Sequence, residues 1–218
     1  MTLAIFDLDN TLLNDDSDYL WGEYLVEQKL VDPDYYKEKN DRFYEDYKNG
    51  ILNIDDFLTF SLQPLTQYPI PQLHQLRAEF VEQKIKPVIA KNTLKLIEEH
   101  KLKNHTLMII SATNRFVTEP IAALLGIPHL LSTQPEIINN KYTGNYIGIP
   151  TFHQGKITAL RHWLKENNET LDGSYFYSDS INDLPLLEII SYPIVVNPDD
   201  KLKKLAKKNN WKEINLNK

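Results

Sequence analysis

The sequence predicts an α/β protein, a Rossmann-like, doubly wound parallel sheet interrupted by an inserted all-helical cap. Three observations carry this. Short apolar runs of strand length alternate with helical stretches through the second half of the chain, as in a parallel sheet covered on both faces. One more such run, "LAIF", stands by itself at the N-terminus. Between the two lie roughly 70 residues of helical periodicity with almost no glycine. The core is accordingly assigned to residues 1–14 and 87–218, and the cap to 15–86.

Taken in order, "LAIF" before Asp7 reads as a buried strand. Leu20, Trp21, Tyr24 and Leu25 share one face of a first cap helix. "DPDYYKEKNDRFYEDYKNG" reads as a second, opened by Asp32 or Pro33 and closed by Gly50. "NIDDFLTFSL" and "PQLHQLRAEFVEQ" follow, separated by Pro64, Pro69 and Pro71. In the core, "VIAKNTLKLIEEH" is a helix, "HTLMIIS" a strand, "RFVTEPIAALLG" a helix stopped by Gly126, and "HLLST" a short strand. "PEIINNKYTGNYIG" forms a hairpin about "NNK". A helix "GKITALRHWLKEN", with Ile157, Leu160, Trp163 and Leu164 inward, precedes the strand "SYFYS". The short helix "INDLPLLEII", the strand "YPIVV" and the helix "DKLKKLAKKN", its lysines a solvated face, complete the chain.

Bulk properties narrow the function. The 218 residues are 42% apolar and 25% charged, the balance of a globular protein with a sizeable core. A net charge of −6 argues against nucleic acid or a membrane as a partner held by electrostatics. The absence of cysteine removes disulfides, thiolate zinc sites and a thiol nucleophile. No basic segment precedes the first apolar stretch, which Asp7 interrupts, so it does not read as a signal peptide and the expected location is the cytoplasm.

Ligands of open parallel sheets bind beyond the carboxyl ends of the strands. Asp7 and Asp9 follow the first strand, Ser111 ends "LMIIS", and Asp179 follows "YFYS" with Asn182 and Asp183 close behind. Four carboxylates meeting at one rim cannot all remain ionised without a cation. Hard oxygen donors with no histidine or cysteine among them suit Mg²⁺, which keeps waters and takes substrate phosphate. A phosphate there would also want a lysine and hydrogen-bond donors. Lys156, opening a helix after Gly155, and Ser111 with the backbone N–H groups that follow it, beginning at Ala112, could supply them.

These stretches resemble the haloacid dehalogenase superfamily of aspartyl-phosphate hydrolases. "DLDNT" is similar to its first motif, "IISATN" to its second, Lys156 to its third and "SDSINDLPLL" to its fourth, in the family's order. A helical insert between the first two motifs is the cap of the phosphoserine-phosphatase-like branch. "SATNRFVTEPIA", "YSDSINDLPLLE" and "VVNPD" resemble a bacterial group labelled phosphoserine or histidinol-phosphate phosphatase-like. The resemblance implies Asp7 as nucleophile, Asp9 as general acid then base, and Ser111, Ala112 and Lys156 around the phosphate. It implies Mg²⁺ held by Asp7, the Asp9 carbonyl, Asp179 and Asp183, with Thr11 bracing the loop and Asn182 reaching the phosphate. Asp16 stands at the spacing of a glutamate that meets the substrate ammonium in phosphoserine phosphatases, so a cationic substrate group is expected. Arg42 is the candidate carboxylate contact. "SAT" departs from the Ser-Gly-Gly usual in phosphoserine phosphatases.

The expected function is a Mg²⁺-dependent phosphatase of a small phosphomonoester such as phosphoserine or histidinol phosphate. A dehalogenase has no use for Asp9, because halide leaves without a proton, and a phosphonate hydrolase lacks a lysine marked out among Lys29, Lys37, Lys39 and Lys48. A phospho-accepting receiver domain would be shorter and capless, and a non-catalytic binding module would be expected to have lost Asp7 or Asp9. "GIPTFHQGK" is not a phosphate-binding loop, since its glycines are too far apart and Ile157 replaces the needed hydroxyl. Tyr35, Tyr36, Phe43, Tyr44 and Tyr47 read as cap core rather than a base-stacking platform.

Overall fold

The computed structural model describes residues 2–217. Its centre is a six-stranded parallel sheet. β1 (Leu3–Phe6) lies between β2 (Thr106–Ile110) and β6 (Tyr175–Ser178). β3 (His129–Leu131) extends the sheet beyond β2, while β7 (Tyr192–Val196) and β8 (Lys212–Ile214) extend it beyond β6. The period-two geometry of β1 splits its side chains cleanly. Ala4 and Phe6 enter a core shared with the helical insert, and Leu3 and Ile5 enter a second core on the opposite face. Both faces are therefore buried, which is why "LAIF" shows no polar alternation.

The insert comprises α1 (Ser17–Glu27), α2 (Pro33–Asn49), α3 (Ile54–Leu62) and α4 (Ile70–Phe80). Their ends follow local chemistry. The Asp32 carboxylate accepts the Tyr35 N–H, Pro33 occupies the first turn, and Gly50 stops α2 at φ +74°. Gly22 on α1 is required by proximity, because a Cβ there would collide with the Asn40 side chain of α2. That approach lets Asn40 donate to the Tyr19 carbonyl at 2.9 Å. An antiparallel hairpin, β4 (Gln134–Ile138) and β5 (Lys141–Ile147), reaches from the core side to the insert, where Tyr146 donates to Asp55 at 2.6 Å.

Helices α5 (Thr93–Leu102), α6 (Arg115–Leu124), α7 (Gln154–Asn167), α8 (Leu184–Leu187) and α9 (Asp200–Lys208) connect the core strands. Lys201, Lys204, Lys207 and Lys208 of α9 are exposed, as its sequence implies.

The structure departs from the sequence expectation in several places, among them "INDLPLLEII", which is a 3₁₀ turn over Ile181–Asp183 followed by α8 rather than one helix. The helix expected from Val88 begins only at Thr93, because Ile89 pairs with Leu13 in an antiparallel bridge and Ala90 donates to the Leu12 carbonyl. A long-range pairing thus overrides local helical periodicity. The helix expected through Gln83 ends at Phe80 and continues as one widened turn, Val81–Ile85. β8 was not anticipated, since three residues with a single apolar side chain carry no pattern; it exists because β7 offers a free edge.

Candidate active site

β1 delivers Asp7 and Asp9 to the carboxyl rim of the sheet from its most enclosed strand. The loop after it turns tightly, with Asn10 in the left-handed region at φ +56°, which asparagine tolerates better than other side chains. Thr11 then points across the rim. Its hydroxyl donates to Asp179 Oδ1 at 2.8 Å and accepts the Asp179 N–H at 3.0 Å, locking the ends of β1 and β6 together.

Lys156 is the charge centre. Its Nζ lies 2.8 Å from Asp7 Oδ1 and 2.7 Å from Asp183 Oδ1, with all three side chains buried. Gly155 places it there, since any Cβ at that position would collide with the Pro150 carbonyl oxygen. The Ser178 hydroxyl fixes Asp183 through a 2.8 Å bond to Oδ2.

Asp9 is held differently. Its Oδ1 accepts the Ser17 N–H at 2.7 Å, and its Oδ2 accepts the hydroxyls of Thr113 at 2.8 Å and Ser111 at 3.2 Å. The two neighbouring aspartates therefore have distinct surroundings, Asp7 paired with a cation and Asp9 with neutral donors. Sequence reasoning missed Thr113, although it stands in "SAT", where the departure from glycine should have drawn notice as an added hydroxyl.

Burial pushes the Asp7 carboxyl well above its usual range, Lys156 pulls it down, and Asp183, Asp179 and Asp9 push it up again. Asp179 is raised to about 7, chiefly by burial, against the Thr11 hydrogen bond. One lysine thus faces several carboxylates, and a divalent cation held there would balance their charge. Its donors are all oxygen, as Mg²⁺ requires. Among the described residues no three acidic or imidazole side chains enclose an ion by themselves. Mg²⁺ bound here would take one or two of these carboxylates and fill its remaining positions with water and phosphate oxygens.

A cleft between rim and insert is bordered by Asp7, Asp9, Asp16, Asp18, Tyr19, Asn40, Phe43, Tyr44, Tyr47, Leu52, Ile54, Phe57, Ala112 and Thr113. Four of these are carboxylates and none is a lysine or arginine. Phe43, Tyr44 and Tyr47 thus border the cleft as well as the helical insert; Tyr36 is buried and Tyr35 is exposed.

The structure brings Asp7, Asp9, Thr11, Ser111, Lys156, Asp179 and Asp183 together at the rim, with Ala112 and Asp16 at the cleft. Arg42 lies away from the cleft, and Asn182, next to Asp183, is engaged by its neighbours. The Arg42 side chain is 69% exposed with Nε 3.8 Å from Asp46, and it does not border the cleft. Asn182 donates to the Tyr47 carbonyl at 3.1 Å and meets His153 Nε2 at 3.2 Å, so its amide ties the end of α2 to the loop before α7.

A parallel sheet thus presents a lysine-paired aspartate beside a second, neutrally held aspartate at its carboxyl rim. The haloacid dehalogenase-like hydrolase family model matches residues 4–188, and the chain belongs to that family. Within the family it is a phosphatase, a phosphoric monoester hydrolase. A histidinol-phosphatase of Neisseria meningitidis serogroup C (strain 8013) is 46% identical over 218 residues, covering 98% of either protein. A probable phosphatase of Mycobacterium tuberculosis (strain ATCC 25618 / H37Rv) is 28% identical over 96% of this chain and 74% of its own length. The crystal structure of a Bordetella pertussis Tohama I protein with unknown function superposes with a TM-score of 0.92 at 36% identity, covering 99% of this chain and all of its own. A substrate-bound phosphoserine phosphatase shares the fold at TM-score 0.71 and 19% identity, covering 100% of this chain and 93% of that one.

Proposed function

We propose that the protein hydrolyses the phosphomonoester of a small amine-bearing alcohol through an aspartyl-phosphate, with Mg²⁺ as cofactor. The observation that carries this is the unequal dress of the two aspartates. Lys156 engages Asp7 Oδ1, so the second Asp7 oxygen attacks phosphorus as the bond to the leaving oxygen breaks. Asp9, fixed by Ser17, Thr113 and Ser111, gives its proton to the departing alcohol. It then takes a proton from water, whose oxygen attacks phosphorus and releases phosphate and Asp7. Ser111, the Ala112 N–H and Lys156 bind the phosphate oxygens. Asp7, the Asp9 carbonyl, Asp179 and Asp183 would hold Mg²⁺, which supplies the charge that keeps Asp7 ionised beside the phosphate. In this reading residues 15–86 act as a cap over a core of 1–14 and 87–218, and Asn182 positions cap against core.

The leaving group is inferred from the cleft. Asp7 and Asp9 serve the phosphate, which leaves Asp16 and Asp18 with no lysine or arginine along the cleft border. That setting favours a positively charged alcohol and disfavours one carrying a carboxylate. Histidinol phosphate meets both conditions, whereas phosphoserine brings a carboxylate with no partner. The 46% identical histidinol-phosphatase supports the same choice. The test is phosphate release with Mg²⁺ from histidinol phosphate, phosphoserine, phosphoethanolamine and glycerol phosphates, with Asp7→Asn as control. Histidinol phosphate should be fastest and the variant inactive. Faster turnover of phosphoserine, or equal activity in Asp7→Asn, would overturn the proposal.

A further inference from the structure

Two carboxylates of α1 border the cleft, and their hydrogen bonds separate their roles. Asp16 is the helix cap. Its Oδ1 accepts the Asp18 N–H at 3.0 Å and the Tyr19 N–H at 2.9 Å, which is the ordinary satisfaction of a helix N-terminus. Asp18 has no such occupation. Its side chain is buried, with the residue 6% exposed, and its Oδ2 has no hydrogen-bond partner. Asp18 also borders the cleft, so this buried carboxylate, with its unpartnered oxygen, lies in its wall. Ser17 Oγ and Trp21 Nε1 on the same helix are also buried without partners, so neither neighbouring donor turns to satisfy it. A buried carboxylate oxygen left without a donor is costly unless a ligand supplies one.

We propose that Asp18 is the specificity-determining residue that receives the positively charged nitrogen of the substrate, while Asp16 serves as the cap of α1. This rests on the amine-bearing phosphomonoester reading given above and assigns its recognition to one side chain. The aromatic rings of Tyr19, Tyr44 and Phe57 border the same cleft and suit a nitrogen cation, whose charge is favoured by ring faces. The charge state is consistent. Burial, and then Asp9, raise the Asp18 carboxyl to about 7, as for a carboxylate that lacks its counter-ion. An ammonium at Oδ2 supplies both the missing donor and the missing charge.

The test uses phosphoethanolamine and 2-hydroxyethyl phosphate, which differ only in an ammonium for a hydroxyl, together with histidinol phosphate. kcat and KM are measured for the Mg²⁺-loaded wild type, Asp18→Asn, Asp18→Ser and Asp16→Asn. In wild type, kcat/KM favours the ammonium substrate. Both Asp18 variants should lose that preference by about 10- to 100-fold, the worth of one charge-assisted hydrogen bond, mainly through KM, and KM for histidinol phosphate should rise with it. Asp16→Asn should keep the preference. A wild type without preference would overturn this assignment and the amine-bearing reading together. A preference kept in Asp18→Asn, or lost in Asp16→Asn instead, would overturn the assignment alone. Loss of all turnover in both Asp18 variants would make the residue structural and overturn it as well.

Discussion

Replacing Lys156 with methionine keeps much of its volume and removes its charge, which isolates the electrostatic part of the site. In the wild type the ammonium lies 2.8 Å from Asp7 and 2.7 Å from Asp183, with side-chain exposures of 3%, 4% and 2%. Removing one partner of a buried ion pair costs about 3–5 kcal/mol. Here two carboxylates lose the same partner, so the upper end applies. In a chain of this length each kcal/mol moves the melting temperature by about 2–4 °C, so Tm should fall by roughly 10–20 °C. The deficit should depend on pH with a definite sign. Asp7 already has a raised folded-state pKa, and losing Lys156 raises it further. Such a group binds its proton more tightly folded than unfolded, so stability is retained at low pH and lost as pH rises through the raised value. Thermal melts of both proteins in EDTA at pH 5 and pH 8 read this directly. The gap should be widest at pH 8 and narrow at pH 5. Equal gaps at the two pH values would refute the electrostatic reasoning.

Three further outcomes follow from other parts of the structure. Gly155→Ala forces a Cβ against the Pro150 carbonyl, and overpacking of this kind costs about 1–3 kcal/mol; urea midpoints should fall, and kcat with them as Lys156 shifts. Thr113→Val removes the 2.8 Å hydroxyl bond to Asp9, so kcat should drop by about 10- to 100-fold with little change in KM; an unchanged kcat would show that Ser17 and Ser111 suffice. His100, buried between His105 and Tyr177, has its pKa lowered to about 4 by burial and then by His105 and Lys103. The unfolded chain binds that proton first, so stability present at neutral pH should be lost as pH falls from about 6.5 towards 4. Denaturant titrations should show that acid loss reduced in His100→Gln.

The sheet and the rim were legible because their signals are local. "LAIF", "LMII" and "YFYS" are apolar runs of strand length, and each is followed at once by its polar site residue. Lys156 was legible only through the order of motifs, since nothing near it in the chain says that its ammonium reaches Asp7. What stayed hidden depends on groups remote in sequence. Ile89 reads as helical until Leu13 is seen to pair with it. Thr113 reads as a strand-end hydroxyl until Asp9 lies beside it. Arg42 attracted attention as a central cap arginine, yet it sits on the outward side of α2. Asp18 and Asp16 are indistinguishable in "NDDSDYLW"; what separates them is that Asp16 caps α1 through Oδ1 whereas Asp18 keeps a buried oxygen without a partner.

The enclosed position of β1 also has a consequence for the life of the nascent chain. β1 precedes both of its sheet neighbours, β2 and β6, by a long stretch of chain. Thr11 and Asp179, which lock the ends of β1 and β6 together, are 168 positions apart. At about 5–20 residues per second, ribosomes need roughly 10–30 s to span that interval. Until β2 is made β1 has no sheet neighbour, and until β6 follows it has one on a single side only, while the helices of the insert can already form from local contacts. The rim between β1 and β6 therefore closes only after the insert, β2 and β3 have been made, leaving one side of β1 open through most of synthesis.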